Sequence, residues 1–330
     1  MVRTKYIAAA AVLTVAVLAV SSVIVIGGSA DFEYTCGDDG SITVTDRSSG
    51  LFNGVSWDVR DYSGNDLTPS VADTGASPES VSWASDGPNV FRVTMTAYTY
   101  AGIGRKVTKD VVMEGERAHA LKPFGDTGPT VEFAVHTSDF LRYKNERINR
   151  APGDSANTDL VRKFVGTTST SNNAFEKIVD QLVSVIPNGS DESYINGIMR
   201  FVQSLNYVSD KASTGSSEYW KFPVEMLFAN AGDCEDLSML MMALSMAFFA
   251  KKGIDVSAAL VLFWDDGHAM AAVSLGVPPS PVSDPQDTSN GWYTVNGRTY
   301  YTCETTSTGW RVGEIDPSLR EVRPDHLIVV

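Results

Sequence analysis

The chain has 330 residues, 43% of them apolar and 10% aromatic, enough to bury a sizeable core and to fill two domains behind an N-terminal segment. Forty acidic side chains against 26 basic ones give a formal charge of −14, which argues against a general nucleic-acid-binding role, since that needs a basic footprint. Three cysteines, Cys36, Cys234 and Cys303, cannot all pair, and no CxxC, HExxH or clustered His/Cys spacing supports a zinc site. A Cys36–Cys303 bridge is open to an exported chain, although nothing in the spacing brings the two together.

Arg3 and Lys5 precede an uncharged run from Tyr6 to Ile26, which as a helix would cover about 31 Å, close to the hydrocarbon thickness of a bilayer. With the basic residues before it and Asp31 and Glu33 after it, segment 1–30 is expected to anchor the chain in the cell membrane by a single pass, contacting lipid through residues 6–26, with everything downstream outside the cytoplasm. The alternative is a leader cleaved at Gly28-Ser29-Ala30 and a secreted product.

From 31 to 150 the chain runs in short β-favouring stretches, Ser41–Thr45, Val90–Tyr100, Val107–Met113 and Thr130–Val135, separated by Gly, Pro, Asn and Asp turns. The pattern predicts a β-rich, sandwich-like extracytoplasmic module in which Trp57 and Trp83 serve packing. The basic stretch Arg142–Arg150, then Ala151-Pro152-Gly153 and Gly166–Asn173, reads as a boundary with a solvated linker over 151–172.

The hydrophobic period then changes. Phe175, Ile178, Val179, Leu182 and Ile186 mark one amphipathic helix, and Ile195, Ile198, Met199, Val202 and Leu205 mark a second. A third, almost wholly apolar, starts at Asp233-Cys234-Glu235-Asp236 and ends at Gly253. Val256–Phe263, His268–Leu275, Gly291–Val295 and Thr299–Glu304 follow as strands, so domain 173–330 is α+β, with helices first and a largely antiparallel sheet after them.

With Asp233 as N-cap, Cys234 becomes the first helical residue and Asp236 the third, an arrangement like a capping box. A thiol there sits beside unsatisfied N–H groups and the positive helix end, which favours the thiolate. His268 opens a strand in which His268, Met270 and Ala272 share one face, and it offers a general base. Glu304 shares a face with Tyr300 and Thr302 and offers a carboxylate to orient the imidazole, while Cys303 points to the core. Taken singly, each has a plainer reading: a buried inert cysteine, a structural histidine, a strand-end charge.

Tyr219-Trp220-Lys221-Phe222-Pro223-Val224-Glu225-Met226-Leu227, Gly232-Asp233-Cys234-Glu235-Asp236 and Gly267-His268-Ala269 together resemble the transglutaminase-like core, a branch of the papain-like cysteine fold, in the form seen in prokaryotic transglutaminase-like cysteine proteinases. The likeness covers about Ile195 to Asp316 and implies a central cysteine-bearing helix packed on an antiparallel sheet. It also implies Cys234 as nucleophile, His268 as base and Glu304 where the family usually has Asp, with Asp316 as a substitute for that acid. Tyr219 and Trp220 fall where relatives place an oxyanion-stabilising or site-lining residue. Some relatives use calcium, but helix capping accounts for Asp233, Glu235 and Asp236 without a metal, so no cofactor is expected.

The expected activity is thiolate attack on a protein or peptide amide, the thioester being resolved by water, as in a protease or deamidase, or by an amine, as in a transglutaminase. Two alternatives stay open: a non-catalytic surface adhesion or assembly protein on the same scaffold, and an amidase acting on a cell-wall polymer.

Overall fold

The computed structural model describes residues 28–68, 72–73, 79–186, 188–254, 256–283 and 291–330. The expected membrane segment 6–26 lies outside the described residues, and no described helix is long and apolar enough to cross a membrane. The chain divides into two compact units, Met1–Met113 and Glu114–Val330.

In the first unit, β1 (Phe32–Cys36), β2 (Ser41–Asp46) and β4 (Ser80–Ala84) form one antiparallel sheet with the short strand Ala72–Asp73 at its edge. Strands β3 (Phe52–Asp61), β5 (Asn89–Thr99) and β6 (Gly104–Met113) form a second. Side chains alternate along each strand, so Ile42 and Val44 of β2 turn inward while the threonines between them do not. Phe32, Ile42, Val44, Val81 and Trp83 from one sheet meet Val59, Phe91, Val93, Met95 and Val111 from the other in a single core. Trp83 packs edge-on to Phe91, in keeping with a packing role.

The boundary between units falls after Met113, not near residue 150. The expected strand Thr130–Val135 is β8 (Val131–His136), which pairs in a hairpin with β7 (Glu116–Leu121) inside the second unit. It goes there because Val131, Phe133 and Val135 bury their face against helices of that unit, Phe133 lying edge-on to Phe201. Helix α1 (Thr137–Lys144) follows directly.

The stretch 151–172 is also not a solvated linker. Asn157 caps α2 (Thr158–Val165), which buries Val161, Phe164 and Val165 and sets the Phe164 ring against Trp220 and Phe222. Two turns are too short for a periodicity to stand out against flanking glycine and proline. Arg150, from the supposedly solvated basic run, is mostly buried and ion-paired with Glu225 at 2.5 Å.

Helices α3 (Ala174–Val185) and α4 (Asp191–Gln203) occupy the two amphipathic stretches, and α5 (Pro223–Ala229) starts with proline in its first turn. The central helix α6 (Cys234–Lys251) is enclosed by α2, α3, α4 and α5 and by a five-stranded sheet. Every residue from Cys234 to Ser245 is buried, which is why the sequence lacks a polar stripe. Gly253 takes φ +68 just beyond the helix end, the left-handed turn a glycine terminator supplies.

That sheet runs β13 (Trp292–Val295), β14 (Arg298–Cys303), β12 (His268–Val273), β11 (Ala258–Phe263) and β15 (His326–Val329), antiparallel at every junction. Strands β12 and β11 pack on α6.

Candidate active site

Asp233 is the N-cap of α6 in extended conformation, and its N–H donates to Asp236 Oδ2 at 3.4 Å. A two-residue parallel pairing leads into it, with β9 (Asn206–Tyr207) alongside β10 (Ala231–Gly232). Gly232 admits no side chain: a Cβ there would meet Met226 Sδ at 2.1 Å and Asp236 Oδ2 at 2.7 Å. Cys234 is thereby held at the first helical position with 8% of its surface exposed.

The thiol donates to Glu235 Oε2 at 3.3 Å, and the Ala269 N–H on β12 acts against the rise of the thiol pKa. Ala269 directly follows His268. His268 Nε2 lies 2.8 Å from Glu304 Oε2, which leaves Nδ1 as the nitrogen free to act as a base. Glu304 Oε1 takes hydrogen bonds from the Thr306 N–H at 2.9 Å and the Thr306 hydroxyl at 2.6 Å. Burial would raise the Glu304 carboxyl, but its bonds to His268 and Thr306 outweigh this and hold it below the usual range, ionised at neutral pH.

The expectation that the helix start would favour a thiolate is reversed by its surroundings. Burial first, then the charges of Glu235 and Asp233, push the Cys234 thiol up. Sequence inspection sees the helix end but not the degree of burial. Cys303 is fully buried as expected, and Cys36, Cys234 and Cys303 all keep free thiols, so the Cys36–Cys303 bridge is absent.

Asp316, the substitute acid, caps the short helix Pro317–Arg320 by accepting from Ser318, while the imidazole of His268 bonds to Glu304. Asp316, His268, Glu304, Asp266 and Trp310 line a cavity of about 310 Å³. Trp220 and Tyr219 are sited differently from the expectation. The Trp220 ring is fully buried and its N–H donates to Glu218 Oε1 at 2.8 Å, leaving no free donor. The Tyr219 hydroxyl donates to Glu225 Oε1 at 3.1 Å, with the Arg150 guanidinium over its ring. Both hold the segment before α5 in place.

Two features escaped the sequence reading. Tyr207, in register with Gly232, is 53% exposed, and its partial burial, then the nearby Cys234, raise its phenol. Beneath the helix start, Lys221 donates to Asp210 Oδ1 at 3.0 Å and to Asp236 Oδ2 at 2.5 Å. Oxygens of Asp210, Asp233 and Glu235 come within 4.8 Å of one another, and Asp233 Oδ1 is buried with no hydrogen-bond partner. Burial, with neighbouring carboxylates, raises all three of these acids. Hard carboxylate oxygens and an unpartnered lone pair suit a hard divalent cation such as calcium.

No protein-family model matches the chain, and no curated protein does. Among solved structures, LapG of Legionella pneumophila is similar at 15% identity over 52% of this chain and 84% of that one, with a TM-score of 0.30. It has also been solved in calcium-bound and EGTA-treated forms. A candidate protease from Parabacteroides distasonis is similar at 11% identity over 88% of this chain and 71% of that one, with a TM-score of 0.28. Likenesses this slight do not bear on function.

Proposed function

We propose that the chain is a transglutaminase-like cysteine hydrolase or acyltransferase of papain-like architecture, held outside the cytoplasm by segment 6–26 and acting on protein or peptide amides. The observation that carries the reading is a convergence of two elements: Cys234 opens the buried helix α6, β12 packs on that helix, and His268 at the start of β12 is bonded to Glu304 at 2.8 Å.

The chemistry follows from those roles. His268 Nδ1 takes the thiol proton as the sulfur bonds to the amide carbon, and the Glu304 carboxylate stabilises the imidazolium. Collapse breaks the C–N bond, and the imidazolium returns the proton to the leaving amine. Water then attacks the thioester carbon and gives a proton to His268; the C–S bond breaks, the imidazolium returns the proton to the Cys234 sulfur, and the carboxylic product leaves. An amine attacking in place of water would give transfer. Asp210, Asp233 and Glu235 would hold a calcium ion, whose positive charge beside the sulfur would offset the carboxylates that oppose the thiolate.

Iodoacetamide labelling near neutral pH, followed by mass spectrometry, tests the reading. Fast alkylation at Cys234 that slows at least tenfold in His268→Ala is expected of an activated pair. Slow alkylation at the same rate in both proteins would remove the catalytic reading and leave a scaffold.

A further inference from the structure

The residues that follow Glu304 form a wall between two open spaces. Thr306, Ser307 and Trp310 line the cavity of about 310 Å³ that also holds His268 and Glu304, whereas Thr308 and Gly309 line a second of about 370 Å³ together with Lys122, Arg200 and Gln203. With space on both faces, packing does little to set where the wall stands, and polar ties matter correspondingly more.

Bonds between side chains of the wall are internal to it: Thr306 holds Glu304, and Trp310 Nε1 donates to Ser307 Oγ at 2.9 Å. A tie to a neighbouring element comes from Gln203, the last residue of α4. Its Nε2 donates to the Glu304 carbonyl at 2.8 Å and makes a longer contact with the Trp310 carbonyl at 3.4 Å, so one amide clasps both ends of the wall. Gln203 is only 7% exposed, and α4 packs on α6, so the clasp is anchored on the helix that carries Cys234. Strand β14 ends at Cys303, which is paired with Ala271 of β12, and Glu304 is the first residue to leave the sheet.

We propose that Gln203 is a positioning residue for the relay: by fixing the Glu304 carbonyl it fixes the direction in which that residue leaves the sheet, and with it the carboxylate that orients His268. This rests on the acyl-transfer reading above. Gln203 exchanges no proton and acts only through Glu304. Without its donor the buried carbonyl loses a partner, and the wall is free to shift into either cavity.

Iodoacetamide alkylation of Cys234 at neutral pH, compared in a double-mutant cycle, tests the role. Gln203→Met keeps the length of the side chain but has no donor, and is expected to slow alkylation roughly three- to tenfold, the rate equivalent of one net hydrogen bond. Glu304→Gln is expected to slow it as well. Adding Gln203→Met to Glu304→Gln is expected to change the rate by less than about twofold more, because the bond being positioned is already lost, whereas a mere loss of packing would slow both backgrounds alike. Gln203→Glu gives a second measurement: its rate relative to the parent is expected to climb as pH falls and the protonated carboxyl regains an O–H donor. A parent-like rate in Gln203→Met, equal slowing in both backgrounds, or a flat ratio in Gln203→Glu would overturn the role. A parent that labels slowly, at a rate Glu304→Gln leaves unchanged, would overturn the acyl-transfer reading itself, and the Gln203 role with it.

Discussion

His268 Nε2 and Glu304 Oε2 lie 2.8 Å apart, and the far oxygen of that carboxylate is fastened by both the N–H and the hydroxyl of Thr306. The imidazole is therefore oriented by an acid that is itself unable to swing away. Glu304→Gln is expected to lower kcat by roughly 10²–10⁴, as loss of the orienting acid does in serine triads, with KM changed little. Asp316→Asn is expected to stay within twofold of the parent. Steady-state kinetics on a peptide substrate check both, and the reverse ranking would move the acid role to Asp316.

Lys221 is buried between Asp210 and Asp236 and also donates its N–H to Asp236 Oδ1 at 2.7 Å. Burial would lower its ammonium, but the charges of Asp236, Asp210 and Asp233 raise it instead, so the pairing is fully present at neutral pH and is lost only as pH rises past the folded-state value. Lys221→Met strands carboxylates in the interior and is expected to destabilise the protein by about 3–5 kcal/mol in urea unfolding. A loss below about 1 kcal/mol would mean water reaches the cluster.

The unpartnered Asp233 Oδ1 makes the acid cluster a receiver of positive charge. Calcium at a hundredfold excess over its dissociation constant is expected to stabilise the full chain by about 2.7 kcal/mol relative to EGTA, read as a rise in melting temperature. Asp233→Asn is expected to remove most of that rise. Equal melting in calcium and EGTA would leave the cluster as a helix cap with Lys221 as its cation.

His119 stacks on Phe133 and its Nε2 lies 3.1 Å from the Phe228 carbonyl, so the neutral ring donates there. Burial, then the charge of Arg117, push it down to about 4 from 6.5, against the pull of the Phe228 bond. Above pH 6.5 neither state is protonated. Between 6.5 and about 4 only the unfolded chain takes the proton, so stability falls as pH falls, by an amount on the order of 3 kcal/mol, and levels below. In His119→Gln the slope of melting temperature against pH over that window is expected to shrink, and an unchanged slope would assign it to other groups.

Much of the candidate site was legible because its signals are local. Asp233 before an apolar run marks a helix start, Gly253 marks its end, and the alternation through His268–Val273 and Arg298–Cys303 marks strands, since capping and pleat act over a few residues. Tyr207 gave no such signal, because a two-residue strand has no period and its pairing partner Gly232 lies far along the chain. The hairpin 116–136 misled for the same reason: its strand pattern is evident, but which core it joins depends on helices that come later.

By itself, then, the sequence determined where the cysteine-bearing helix begins and ends, where several of the strands run, and that a thiol, an imidazole and a carboxyl occur in an order able to support acyl transfer. Only the tertiary structure decided that Glu304 rather than Asp316 takes the imidazole, that Trp220 and Tyr219 have no donor to spare, and that burial raises the thiol its helix end should lower. The physical reason is that capping and alternation follow from neighbours along the chain, whereas desolvation and hydrogen-bond pairing depend on which distant segments close over each group.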